Sequence, residues 1–277
     1  MRIALIISII SFIFSQANYQ ILSTPSNFKN IFELEDFYDN YHYSVFNSLY
    51  PNDINLFAFT ISAKKTKSSE IFITLKNLNY GEFNDNESNY SFGANESLIQ
   101  FSLLKKEYIA NRIMLNINYL KSKIDIYQSD LISLDLLTLV RFRSNHYFNI
   151  AFKNYGKIIN SYSSTKIQLP KAINISYNFK KNEFPFSLIA CYKKRLDVEE
   201  NLIQVTLGIK LNSKLDLYIS NRNNKSDLFF GEYIDKMMAG TNVGIVYSKN
   251  QNNLNLAFQN LGAAGYVTSF SFTKSIL

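Results

Sequence analysis

Ile113-Met114-Leu115-Asn116-Ile117-Asn118-Tyr119 is the stretch that decides the fold. On an extended chain Ile113, Leu115, Ile117 and Tyr119 fall on one face, and Met114, Asn116 and Asn118 on the other. Successive side chains of a strand point to opposite faces, so this is a ribbon with one apolar and one largely polar side. A helix, at about 3.6 residues per turn, would mix the two sets. The same period recurs outward in both directions. Ile71, Ile73 and Leu75 alternate with Phe72, Thr74 and Lys76. Ile132, Leu134, Leu136, Val140 and Phe142 oppose Ser133, Asp135, Arg141 and Arg143. Ile203, Val205, Leu207 and Ile209 oppose Gln204, Thr206, Gly208 and Lys210.

Carried along the chain, the pattern predicts strands near 42–49, 54–63, 70–78, 98–105, 110–120, 131–142, 147–153, 171–179, 186–194, 202–211, 215–222, 242–248, 253–260 and 266–276. The total is about fourteen, an even number, as single-chain bacterial barrels have. Long connections are expected at 79–97, 121–130, 154–170 and 223–241, alternating with short ones at 106–109, 143–146, 180–185 and 249–252. Short turns at one end and long loops at the other are the asymmetry of an outer-membrane barrel. The expected fold is therefore all-β, an antiparallel transmembrane β-barrel of about 14 strands. A soluble β-sandwich would show the same alternation, but an open sheet in lipid would leave edge N–H and C=O groups unpaired, and closure removes those edges. In such a barrel Lys76, Asn116, Asp135, Arg141, Asn174, Asn178 and Lys210 are expected to face the lumen.

The first residues read as an export signal. Arg2 supplies the positive start, Ile3 to Phe14 an apolar core, and Ser15-Gln16-Ala17 the small residues of a cleavage site. The expected organisation is a signal peptide at 1–17, an N-terminal periplasmic or plug segment at 18–41, and an outer-membrane barrel at 42–277. In the second segment Glu33, Glu35, Asp36 and Asp39 interleave with Phe32, Leu34, Phe37 and Tyr38, which fits an amphipathic plug or a plain leader.

The formal charge of +7 is spread along the chain and forms no basic stripe, so no nucleic-acid partner is expected. Cys191 is the single cysteine, which excludes an internal disulfide and reads as a packed thiol. His42 and His146 are the two histidines, without ligand-like spacing, and no GxSxG, P-loop or Rossmann glycine pattern occurs. No enzyme activity, metal or cofactor is expected.

From Leu75 onward the order of short motifs resembles the PorV/PorQ family, closer to PorQ, which are FadL-like outer-membrane barrels of the type IX secretion system. The matching segments are Leu78-Asn79-Tyr80-Gly81-Glu82-Phe83, Lys153-Asn154-Tyr155-Gly156, Leu169-Pro170 ahead of Ile173, and Asn260-Leu261-Gly262. Asn154, Gly156, Leu169 and Pro170 are the family-motif positions. The resemblance implies a non-enzymatic outer-membrane component that anchors or carries secreted cargo, with outer-membrane lipid and other type IX secretion or surface-attachment proteins as partners. Tyr80, Gly81, Phe83, Phe229, Phe230 and Tyr233 are the candidates for partner contact, since exposed aromatics on loops are common anchors. The same aromatics would also suit a membrane-interface girdle. The alternative function is a FadL-like transporter or channel for apolar small molecules, and a third is a soluble exported adhesin.

Overall fold

The computed structural model describes residues 19–31, 42–66, 68–85, 90–106, 111–143, 145–162, 168–180, 184–198, 201–223 and 238–275. The leader at 1–17 and the aromatics Phe229, Phe230 and Tyr233 lie outside the described residues.

Fourteen strands follow one another along the chain: β1 (His42–Leu49), β2 (Asn55–Lys65), β3 (Ser69–Asp85), β4 (Tyr90–Lys106), β5 (Arg112–Ile124), β6 (Tyr127–Arg143) and β7 (His146–Asn160). They continue as β8 (Ala172–Lys180), β9 (Phe186–Arg195), β10 (Asn201–Lys210), β11 (Leu215–Arg222), β12 (Thr241–Lys249), β13 (Asn252–Asn260) and β14 (Tyr266–Ser275). Each pairs antiparallel with its sequence neighbours. The sheet closes where β1 meets β14, with Val45 opposite Phe272 and Leu49 opposite Thr268. Closure leaves no edge strand, which is what an environment without water demands of a sheet.

The barrel is inside out relative to a water-soluble protein. Along β5 and β6 the outward residues Ile117 and Leu134 are each 46% exposed, whereas inward Asn118 is 2% exposed and Ser133 is fully buried. Phe101, Phe152, Ile175, Val205 and Leu256 continue the apolar sleeve, and Thr60, Ser102, Asn174, Thr206 and Ser269 the polar lining. Surrounding lipid would remove this sleeve from water, at about 25 cal/mol per Å² of apolar surface. Aromatic groups collect toward the sleeve's ends, with Phe142 against Phe148 and Phe184 against Phe186 on one side and Tyr119 and Tyr192 on the other. The Tyr119 hydroxyl donates to Asp130 and that of Tyr192 to Asn201, as fits rings straddling an interface.

The end that carries residues 66–68, 107–111, 144–145, 181–185, 211–214 and 250–251 has short connections only, and both ends of the barrel chain lie there. The opposite wall is higher than the sequence pattern implies. Most of the described part of the expected loops at 79–97 and 121–130 is instead ladder: β3 and β4 run 17 residues each and, past a bulge between Asn79 and Glu82, pair as far as Asp85 with Tyr90. Strands β5 and β6 pair as far as Ile124 with Tyr127 around a two-residue turn, Asp125-Ile126, with Asp125 at positive φ. A tilted strand crosses a bilayer in about 9–11 residues, so these hairpins stand clear of the apolar band. Their outward residues there are polar: Asn95, Ser97, Lys121 and Lys123. With water outside, the apolar-outward alternation of the sleeve is lost although the hydrogen bonding continues and the inward residues Glu96, Leu98, Leu120 and Ser122 stay buried. Residues 154–170 divide likewise, β7 continuing to Asn160 before the connection 161–171.

Candidate functional site

The lumen holds Tyr19–Ile31, the described part of the stretch ahead of β1. Tyr19 and Ile21 are fully buried, a short 3-10 turn covers Gln20–Leu22, and helix α1 (Phe28–Ile31) follows. Asn27 caps α1 by accepting the Asn30 N–H at 2.9 Å, while the Asn30 side chain accepts the Ser26 N–H at 3.1 Å.

Wall side chains hold this plug by hydrogen bonds. Glu96 on β4 accepts the Ile21 N–H at 2.8 Å. Lys76 on β3 donates to the Ile21 and Thr24 carbonyls, both at 2.8 Å. Gln204 on β10 donates to the Ile31 carbonyl at 2.9 Å. Ser129 on β6 donates to the Asn160 carbonyl, so the Tyr19 hydroxyl is the donor in its 2.6 Å contact with Ser129. The Tyr19 ring also stacks on Tyr162, whose hydroxyl hydrogen-bonds Ser122. Around Tyr19 and Ile21 the wall offers Leu56, Leu78, Leu98, Leu120 and Leu131. Tyr50, in the β1–β2 turn, joins this cluster; burial lifts its phenol to about 12, with Arg222 pulling the other way.

Beside the plug is a cavity of about 430 Å³. Asp135 on β6 organises one wall. Its Oδ1 accepts the Asn154 N–H at 2.7 Å, and its Oδ2 accepts from the amides of Asn118 at 3.0 Å and Asn116 at 3.3 Å. An ionised carboxylate accepts only, so both asparagines must turn their NH₂ groups to it. Their Oδ1 atoms are buried with no hydrogen-bond partner, as is the Oδ1 of Asn174. Lys76, Lys153, Lys193, Arg222 and Asp135 are the charged residues among its described lining. Phe72, Met114 and Leu137 give the lining one apolar side.

Of the residues expected in the lumen, Lys76, Asn116, Asp135 and Asn174 line the cavity, and Asn178 is half-buried. Arg141 and Lys210 do not: both are exposed at the short-turn rim, where the wall ends, and Arg141 lies over the Tyr147 ring at 5.7 Å. His146, at the same rim, hydrogen-bonds the Tyr177 hydroxyl at 2.7 Å and packs against Phe179. Among the described residues no group of three or more His, Cys, Asp or Glu is placed to hold a metal.

The four motif positions come together. Asn154 sits at positive φ in a bulge where two residues of β7 oppose Asp135, and its side chain donates to the Pro170 carbonyl at 2.8 Å. Leu169 and Pro170 are buried behind it. At Gly156 a Cβ would meet the Ile132 carbonyl oxygen at 2.0 Å, so glycine is required by close approach of two backbones. Asn154→Ala removes the contact to Pro170 and the tolerance for positive φ. We expect a loss of about 2 kcal/mol, read as a lower denaturant midpoint in detergent.

Of the partner-contact candidates, Tyr80 is half-buried against the plug cluster and Gly81, at φ +78°, forms the bulge that shifts the β3–β4 register between Asn79 and Glu82. Phe83 is exposed on the projecting hairpin, stacked on Phe92 at 5.2 Å, with Tyr90 beyond it at 6.1 Å from Phe92. Sequence reasoning missed Glu96, Gln204 and Ser129 as holders of the plug; their inward parity beside Leu98, Thr206 and Leu131 was the available signal.

No protein-family model matches the chain, and neither does any curated protein. Solved structures do. The TodX monoaromatic hydrocarbon channel deltaS2 mutant is 8% identical with a TM-score of 0.58, covering 95% of each chain. The CymD monoaromatic hydrocarbon channel is 8% identical with a TM-score of 0.56, covering 94% of this chain and 93% of that one. The Pseudomonas putida toluene transporter TodX is 8% identical with a TM-score of 0.54, covering 94% of each. At these identities the likeness is one of fold: a closed antiparallel barrel of fourteen strands in the FadL/porin-like architecture.

Proposed function

We propose that this chain is an outer-membrane channel, non-enzymatic, through whose lumen small molecules pass, with Tyr19–Ile31 as its stopper. One observation carries the reading: a polar lumen with a cavity of about 430 Å³, inside an apolar sleeve and beside a segment held by hydrogen bonds to wall side chains as well as by apolar packing. Eight-stranded barrels fill their interiors with side chains, and fourteen strands leave room for a path. The structural neighbours are channels and a transporter by name, which agrees with the reading. Export through the 1–17 signal belongs to the same proposal. In planar lipid bilayers the purified mature protein is expected to give discrete conductance steps. A preparation that inserts fully folded but never rises above the bare-lipid background, with or without the stopper, overturns the reading.

A second reading attaches to the β3–β4 hairpin. The stack of Phe83, Phe92 and Tyr90 stands on ladder that continues past the apolar band. Secreted cargo or surface-attachment proteins of a type IX system, which the motif resemblance implies, would meet the barrel there. Paired Phe83→Ala and Phe92→Ala substitutions are then expected to abolish co-purification of such partners from solubilised membranes while leaving bilayer conductance intact. Unchanged co-purification would overturn this second reading.

A further inference from the structure

We infer that the outer face of the barrel, at its short-turn end, carries a site for the headgroup of an anionic phospholipid, built by Lys249, Asn252 and Lys274.

Strand register brings the three together. Asn252 opposes Lys249 across the β12–β13 hairpin and Lys274 across the β13–β14 ladder, so they stand in one row on adjacent strands. Neighbouring strands lie about 4.8 Å apart, which sets the two lysine backbones roughly 10 Å from each other. Flexible ammonium side chains at that span can converge on one phosphate, and the asparagine amide offers a donor between them. Each has the parity of its own strand's sleeve residues, Tyr247, Leu254 and Phe270, so the row faces out of the barrel. Lys249 comes two residues after Tyr247, and Lys274 two residues after Phe272. Two residues of strand rise about 7 Å, which carries the exposed lysines from the apolar band to headgroup level. Their methylene stems can lie along the sleeve. Tyr43 closes the row beyond Lys274, its ring against Phe272 at 6.0 Å.

Charge identifies the occupant. Ten exposed or half-buried lysines and arginines stand at the short-turn end against two described carboxylates, Glu70 and Asp216. Local pairing does not change that formal balance, and the short connections add Lys67 and Lys181 against Glu107 and Glu183, which cancel. The whole chain carries only +7, so this end holds the protein's positive charge. Basic clusters beside an apolar span attract anionic lipid. A soluble acidic partner would meet the turns, whereas Lys249 and Lys274 continue the lipid-facing side, and Asp216 has lumen parity. The site does not depend on the lumen being a path.

Native mass spectrometry of the full mature protein in detergent, offered phosphatidylglycerol and phosphatidylcholine in equal amounts, tests the inference. Phosphatidylglycerol should be retained in preference. Lys249→Gln with Lys274→Gln should lower its affinity by roughly thirtyfold, the scale for two lysines at an anionic surface, and leave phosphatidylcholine as it was. Lys121→Gln with Lys123→Gln removes the same charge from the outward face of the opposite end and should change neither. Should the first pair fail to fold, the unaltered protein should lose its preference in about 1 M salt, where screening acts within about 3 Å. Equal retention of the two lipids overturns the inference and leaves a soluble acidic partner for this end. Equal loss in both paired variants, or a preference that survives the salt, overturns it as well.

Discussion

Lys76→Met is expected to release the stopper. The ammonium makes two charge-assisted hydrogen bonds of 2.8 Å, to the carbonyls of Ile21 and Thr24, and it is 6% exposed. Hydrogen bonds of charged groups contribute about 1.5–3 kcal/mol each, and the two carbonyls would lose their donor within the barrel. A loss near 3 kcal/mol moves the seated-to-released equilibrium by roughly a hundredfold. Methionine keeps the length and apolar stem of lysine, so the wall itself stays packed. The readout is open probability in planar bilayers, which should rise steeply. Glu96→Gln is expected to act in the same direction but less, since an amide oxygen can still accept the Ile21 N–H.

Gly156→Ala is expected to break the barrel wall. The new methyl would lie 2.0 Å from the Ile132 carbonyl oxygen and 2.6 Å from the Ser133 Cα. Both obstacles are backbone held in the β6–β7 ladder, where Ser133 pairs with Gly156, so no side chain can swing aside. Overpacking of a closely packed site costs about 1–3 kcal/mol, and backbone obstacles put this one at or above the upper end. Folded barrels commonly migrate differently from denatured ones on unheated gels. The folded band should be strongly depleted, and a sound barrel with unchanged denaturant midpoint would show that the two backbones do not approach so closely.

Much of this architecture was legible in the residue order because lipid and lumen impose opposite demands on neighbouring side chains. Ile117 and Asn118 show it: the one reads as sleeve and the other as lining, and they are placed so. The strand count and the closing strand follow from the same alternation. It failed at 79–97 and 121–130 for a physical reason. Beyond the bilayer the outer face of the ladder meets water while the inner face packs on Tyr19–Ile31, so Asn95, Ser97, Lys121 and Lys123 face outward without cost and the apolar-outward period is lost from the sequence. The seating of Tyr19–Ile31 in the lumen was not legible from local sequence. Its contacts join residues remote in sequence, Ile21 to Glu96 and Ile31 to Gln204, and no local period encodes such pairs. The motif around Asn154 and Gly156 pointed to a family role, and its visible work is geometric: a bulge and a close approach that set Asp135 against the lumen asparagines.

The apolar face is expected to meet lipid and the polar face to enclose the path. The chain has no tryptophan, so a single one reports its own surroundings without background. Phe101→Trp places an indole on the outward face of β4, where phenylalanine is 51% exposed, and Phe72→Trp places one on the inward face of β3, where it is 1% exposed. In bilayers of lipids brominated along their acyl chains, strong quenching is expected for Phe101→Trp and little for Phe72→Trp. Equal quenching of the two, or quenching of the inward position alone, would contradict it.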